Sequence, residues 1–146
     1  MTNARVEIPM PANEPVLSYS PGSPERKLLQ AELERQYGET LEIPLIIGGR
    51  ELRTGKLGKA VCPHEHRHVL AEFHQAGEAE VRKAVRAALA AREKWERTPW
   101  HDRAAVFLKA ADLISNKYRY ILNAATMLNQ SKNVHEAEID ATAELA

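Results

Sequence analysis

Five of the chain's eight prolines fall within its first 24 residues: Pro9, Pro11, Pro15, Pro21 and Pro24. Proline fixes φ, lacks an N–H and pushes the residue before it towards extended backbone. The sequence therefore predicts an extended arm over residues 1–22, lying on a body formed by residues 23–146.

The body opens with "SPERKLLQAELERQYG". Ser23 is a good N-cap, Pro24 suits the first helical position and Glu25 favours the positive helix end. Leu29, Leu33 and Tyr37 recur at helical spacing and Gly38 supplies a stop, which predicts a helix over 24–37. Residues 43–53, "IPLIIGGRELR", read as a hairpin whose paired glycines supply the positive φ values of a tight turn. Further strands are expected near 59–62 and 68–74.

From Gly77 onward the pattern is helical, in the alanine- and charge-rich composition that favours helix. "EVRKAVRAALAAREKW" sets Val81, Val85, Ala88 and Leu89 along one face, and Pro99 enforces a stop. A second helix, capped by Asp102, is expected to turn Val106, Ala110, Leu113 and Ile114 inward. A third carries Tyr118, Ile121, Leu122, Ala125 and Leu128 at spacings of 3–4. The fourth, "VHEAEIDATAELA", reaches Ala146 with no Gly, Pro or basic last turn. That pattern is expected of a chain that stops inside an element and leaves helix faces and sheet edges waiting for a partner.

A length of 146 residues is one ordinary domain, and with only 5% aromatics its core must rely on Ala, Leu, Val and Ile. Twenty basic residues balance twenty acidic ones, so no nucleic-acid or anionic-membrane partner is expected. No apolar run approaches the ~20 residues of a membrane span. The N-terminus has neither a signal-peptide core nor transit-peptide composition. A single cysteine cannot form an internal disulfide, which suits a reducing compartment and predicts a cytoplasmic protein.

The most chemical-looking stretch is "CPHEHRHVLAEFH", residues 62–74, with the only cysteine and four of the six histidines. Cys62, His64, His66 and His68 are suitable metal-ligand types, but the spacing is not that of a zinc finger and no second CxxC or HxxxH completes a set. Strand alternation gives the favoured reading: Val69, Ala71 and Phe73 on an apolar face, with His68, Leu70, Glu72 and His74 on a mixed face that touches solvent. Cys62 has no helix N-terminus or cation to lower its pKa, and is expected to be a small buried hydrophobe. The seven glycines form neither G-x-G-x-x-G nor G-x-x-x-x-G-K-[ST]. Glu136, Glu138 and Asp140 read as decoration of a helix. No catalytic, cofactor-binding or metal-binding residue is assigned from these patterns.

Several blocks together resemble a known family: "NEPVLSYSPGSPER" (13–26), "IPLIIGG" (43–49), "HRHVLAEFH" (66–74), "AALAAREKW" (87–95), "DRAAVFLKAADLIS" (102–115) and "ATMLNQSKNVHEAEIDATAEL" (125–145). They are similar to the N-terminal portion of the 1-pyrroline-5-carboxylate (L-glutamate γ-semialdehyde) dehydrogenases, a branch of the aldehyde dehydrogenase superfamily. Asn129 stands where that family usually has glycine, a mild change if the position is a left-handed helix stop. Glu136 stands where Gln is common.

The resemblance implies an α/β fold, namely an incomplete N-terminal part of an NAD-binding domain. It implies NAD-dependent oxidation of glutamate semialdehyde to glutamate in proline degradation, by a homo-oligomer that is mitochondrial in eukaryotes. It also implies that the catalytic thiol, the general base and the Rossmann strands lie beyond these residues, so that the chain alone is inactive. Glu138 is the one residue carried over, as a substrate-binding group on a helix beside the substrate tunnel. Two other classes stay open: an interaction module derived from such an enzyme, and a small metal-binding protein built on the histidines.

Overall fold

The computed structural model describes Glu7, Met10 and residues 12–146. The arm predicted over 1–22 therefore lies partly outside the described residues. From residue 12 to the turn at Pro21 and Gly22 the backbone is irregular. Helix α1 then spans Pro24–Tyr37, with the Ser23 side chain accepting from the Arg26 N–H as its cap.

Five strands follow: β1 (Leu41–Ile43), β2 (Leu45–Ile47), β3 (Arg50–Leu52), β4 (Leu57–Cys62) and β5 (Glu65–His74). The run predicted as one hairpin divides at Pro44, which cannot donate to a ladder. Leu41–Ile43 pairs parallel with β5, Leu41 opposite Ala71 and Ile43 opposite Phe73. Only β2 and β3 make the hairpin, around Gly48 and Gly49 at φ 59° and 75°. Those left-handed values at both central positions are the reason two glycines stand there. The larger sheet has the order β1-β5-β4, with β4 and β5 antiparallel and a bulge between Ala60 and Cys62. Gly58 admits Phe73 across this pair: a Cβ there would lie 2.5 Å from the Phe73 ring.

Helices α2 (Glu78–Arg97), α3 (Trp100–Asp112), α4 (Arg119–Gln130) and α5 (Val134–Glu138) complete the body. Leu113–Lys117 and Ile139–Ala143 continue α3 and α5 as π-helical turns. Such turns often mark functional or strained positions and are invisible to a 3.6-residue pattern. Asp102 lies in the first turn of α3, which starts earlier, after Pro99. The left-handed residue that ends α4 is Ser131, at φ 56°, two positions beyond Asn129.

The core sits where the arm and α1 meet α4: Tyr19, Leu29 and Ala124, flanked by Leu17, Leu33, Tyr120, Met127 and Val134. The apolar face of α2 and the inward face expected of α3 are not buried. Neither helix contains a buried residue, and Val81, Val85, Leu89 and Val106 are all exposed. Leu113 and Ile114 are half-buried. Among the described residues no helix is long and apolar enough to cross a membrane.

Candidate functional site

The most organised polar site gathers around Glu138. Asn133 caps α5, accepting from the N–H groups of His135 and Glu136, while the Glu136 carboxylate accepts from the Asn133 N–H. This capping box aims α5 at α4. Glu138 then enters the interior with 0% exposure, which corrects the expectation that it decorates a helix surface.

Its two carboxylate oxygens meet donors from two segments, the arm and α4. Oε1 accepts from the Leu17 N–H at 2.9 Å and from the Arg119 guanidinium, whose Nε lies 3.1 Å away and whose Nη2 closes an ion pair with it. Oε2 accepts from the Tyr19 hydroxyl at 2.6 Å and from the Asn123 amide at 2.6 Å. Asn123 turns its carbonyl oxygen to the Thr142 hydroxyl, 2.9 Å away. Arg119 spends its remaining donors on the Glu14 carboxylate at 2.5 Å and on the carbonyls of Pro15 and Ser115. Each buried polar atom named here has a partner, the condition under which such a network is stable.

The charges follow from this geometry. Burial alone would raise the Glu138 pKa, but hydrogen bonds from Arg119, Tyr19, the Leu17 N–H and Asn123 outweigh it and hold the carboxyl below its usual range. Burial would lower the Arg119 pKa, and the bonds and charges of Glu138 and Glu14 reverse that to a net increase. Burial, reinforced by the neighbouring Glu138 carboxylate, raises Tyr19. The site is an ionised pair with a neutral phenol beside it.

The signal for this cluster was partly present in the sequence. Arg119 and Asn123 are four apart on α4, and Glu138 and Thr142 are four apart across the next helical segment, so each pair shares a face. Of the residues that apolar spacing marks on α4, Leu128 is buried and Leu122 half-buried, but Tyr118, Ile121 and Ala125 are exposed. Tyr19 and Glu14 gave no signal, because nothing local ties an irregular arm to a helix a hundred residues away.

The histidine stretch does not converge. Cys62 is fully buried, as expected, with Sγ 3.1 Å from His64 Nε2; His64 Nδ1 in turn lies 2.8 Å from the Ser131 hydroxyl. His68 stacks on Tyr37 at 4.1 Å, and His66 is exposed. His74, expected on a solvent-touching face, is 7% exposed: its Nδ1 accepts from the N–H groups of Thr54 and Gly55, and its Nε2 meets Glu42. Phe73 on the opposite face is exposed, so burial does not follow the alternation. Among the described residues no group of three or more His, Cys, Asp or Glu side chains could hold a metal ion.

Two helix N-termini among the described residues already carry acceptors of their own. Phosphates bind at helix N-termini through free N–H groups and small residues. The N-terminus of α2 is closed by its own Glu80 carboxylate on the Gly77 N–H, and that of α5 by Glu136 and Asn133. A groove of about 350 Å³ opens between the larger sheet and α4; Leu41, Ile43, Leu70 and Leu122 make most of its lining apolar, with Gln36, Thr126, Asn129 and Gln130 beside them.

Residues 52–145 match the model of the aldehyde dehydrogenase family. The chain is 56% identical over 144 residues to a Delta-1-pyrroline-5-carboxylate dehydrogenase of Agaricus bisporus, covering 98% of this chain and 26% of that one. It is 47% identical over 141 residues to the mitochondrial Delta-1-pyrroline-5-carboxylate dehydrogenase of Dictyostelium discoideum, covering 97% and 25%. Among solved structures it is similar to the Delta-pyrroline-5-carboxylate dehydrogenase of Mycobacterium tuberculosis bound with NAD, with a TM-score of 0.95, 43% identity, and 98% of this chain on 27% of that one. The chain thus spans about a quarter of the length of the relatives it matches.

Proposed function

Because the chain belongs to the aldehyde dehydrogenase family, we propose that its 146 residues form scaffold for an NAD-dependent enzyme that oxidises L-glutamate γ-semialdehyde to L-glutamate in proline degradation. The observation that carries this reading is the near-complete backbone match, at 43% identity, to an enzyme of that name solved with NAD. The substrate is a small aldehyde and the working form a homo-oligomer, in the cytoplasm or, as the names of several eukaryotic relatives state, in mitochondria.

The 146 residues by themselves do not turn over substrate. Their only thiol is buried in a strand end against His64, where no aldehyde carbon can reach it in line. Glu138 serves the substrate site by position. Its oxygens are already taken by Arg119, Tyr19, Asn123 and the Leu17 N–H, so it holds the arm and two helices in register beside the substrate path.

The test is a chimera in which these residues replace the matching quarter of the Agaricus bisporus relative. NADH formation from glutamate semialdehyde with kcat and KM close to that enzyme's is the expected result; a folded chimera without activity would sink the proposal. The chain alone is expected to give no NADH above a no-protein blank. In the chimera, Glu138→Gln should raise KM more than it lowers kcat, and an unchanged KM would remove Glu138 from the substrate site.

A further inference from the structure

His74 closes β5 where two stretches of chain cross: residues 54–56, which leave the small hairpin, and residues 75–77, which lead into α2. Its buried ring is held from both sides. Nδ1 accepts from the Thr54 N–H at 3.1 Å and from the Gly55 N–H at 3.2 Å. Nδ1 therefore carries no proton. The ring's one proton sits on Nε2 and is donated to the Glu42 carboxylate at 2.9 Å. The Thr54 hydroxyl donates to the Gln75 carbonyl, and the Gln75 N–H to the Lys56 carbonyl, which ties the two crossing stretches to each other. The hairpin in turn rests on α2, with Ile46, Ile47 and Gly48 beside Ala84, Ala87 and Ala88. The exit of the hairpin and the entry of α2 thus both join the larger sheet beside one imidazole.

A second proton on this ring has only Nδ1 to go to. There it would point at two N–H groups and leave both without an acceptor. The closed turn and the charged ring exclude one another, so a falling pH favours the open turn. The surrounding charges leave this intact. Glu42, from β1, is shared with Arg53 at the end of β3, whose other partner is Glu51. Hydrogen bonds from His74 and Arg53 hold the Glu42 carboxyl below its usual range, so it stays ionised across about pH 5 to 8, where histidines act as switches. On β4, Leu57 stands opposite His74, and Glu72 and Lys59 further along the sheet pair with each other at 3.6 Å. On the α2 side, Glu80 is held by the Gly77 N–H and Lys83. Glu42 is the charge bonded to the ring, and it favours the cation. We propose that His74 is an acid-operated latch: neutral, it pins the Thr54–Gly55 turn, and with it the hairpin and the start of α2, to the larger sheet; protonated at Nδ1, it keeps Glu42 and releases the turn. The latch does not depend on the proposed reaction.

Amide hydrogen exchange of the 146-residue chain, followed by NMR from about pH 8 to about pH 5, reads the latch. Corrected for the intrinsic pH dependence of exchange, protection at Thr54 and Gly55 should fall by about tenfold, the scale of a lost hydrogen bond. The fall should coincide with protonation of His74 Nδ1, seen in the ring nitrogen shifts, while the amides of the central strand β5 stay protected. Glu42→Gln should keep the fall and move it to lower pH together with the ring titration, because the cation loses its carboxylate. His74→Phe lacks the acceptor and should leave the two amides weakly protected at every pH. Protection that is flat across the range, a neutral ring with its proton on Nδ1, or a fall shared equally by the β5 amides would each overturn the latch. So would a midpoint that does not follow the ring in the parent and in Glu42→Gln, or a His74→Phe chain that retains the parent's fall. If His74→Phe does not fold, the parent and Glu42→Gln titrations decide the matter alone.

Discussion

Two regions of this molecule reverse the usual rule of apolar inside and polar outside. Around Glu138 a carboxylate, a guanidinium, an amide and two hydroxyls are packed out of water. Along α2 and α3, valines, a leucine and a phenylalanine face it. The polar cluster is finished: every member has a partner inside the chain. The apolar stripe is unfinished, since burying each Val, Leu or Phe would be worth about 1.5–3 kcal/mol and the chain does not collect it. A finished polar cluster stabilises the residues that hold it; an unfinished apolar stripe contributes only once something covers it.

That contrast is broken most severely at Glu138. Glu138→Ala removes the fully buried partner of Arg119 and leaves it only the Glu14 carboxylate, a change that costs up to roughly 3–5 kcal/mol, and urea unfolding followed by circular dichroism should show it. A loss below 1 kcal/mol would mean the cluster is solvated in solution.

Acid probes the same pair. The Glu138 carboxyl is held below its usual value of 4.5 when folded. Its contribution is therefore complete above about pH 4.5 and is lost as pH falls through the lower folded-state value. Stability of the parent chain should fall steeply in that window, and Glu138→Gln should flatten the fall, since Gln has no proton to gain. Parallel acid curves for the two proteins would contradict this.

A milder cut is Tyr19→Phe. It removes the hydrogen bond to the charged Glu138 and the one the hydroxyl accepts from Asn123, and should cost about 1.5–3 kcal/mol, with faster amide exchange at Leu17 as the arm loosens. The smallest effect is expected on the stripe. Val85→Asp should leave the free chain's stability within about 0.5 kcal/mol, as for any surface change without a special role. A large destabilisation would show that α2 is already packed in the free chain.

The elements that were legible in advance are those built from local signals. Ser23, Pro24 and Gly38 bracket α1, and Gly48-Gly49 turn the small hairpin, because caps and positive-φ turns are decided within a few residues. The misreadings share one cause. The pattern of α2 was read correctly as an amphipathic stripe, but a stripe records that a partner is needed and not that one is present. On α4 the buried positions are Arg119 and Asn123 as well as Ala124 and Leu128, so apolar spacing alone does not mark the face that is buried. His74 looked exposed by alternation and is buried, because the Thr54–Gly55 turn folds two N–H groups onto its ring.

By itself, then, the sequence determined the succession of α1, a short β region and the later helices, and the family blocks, since propensity, capping and periodicity act over one or two turns. It also determined that the only thiol is Cys62. Only the tertiary structure decided what Glu138 is. Its partner Tyr19 lies 119 residues away and Leu17 lies 121 away, on an arm with no regular structure of its own. No local rule connects such positions; the folded chain does so because a buried carboxylate must find donors wherever the packing brings them.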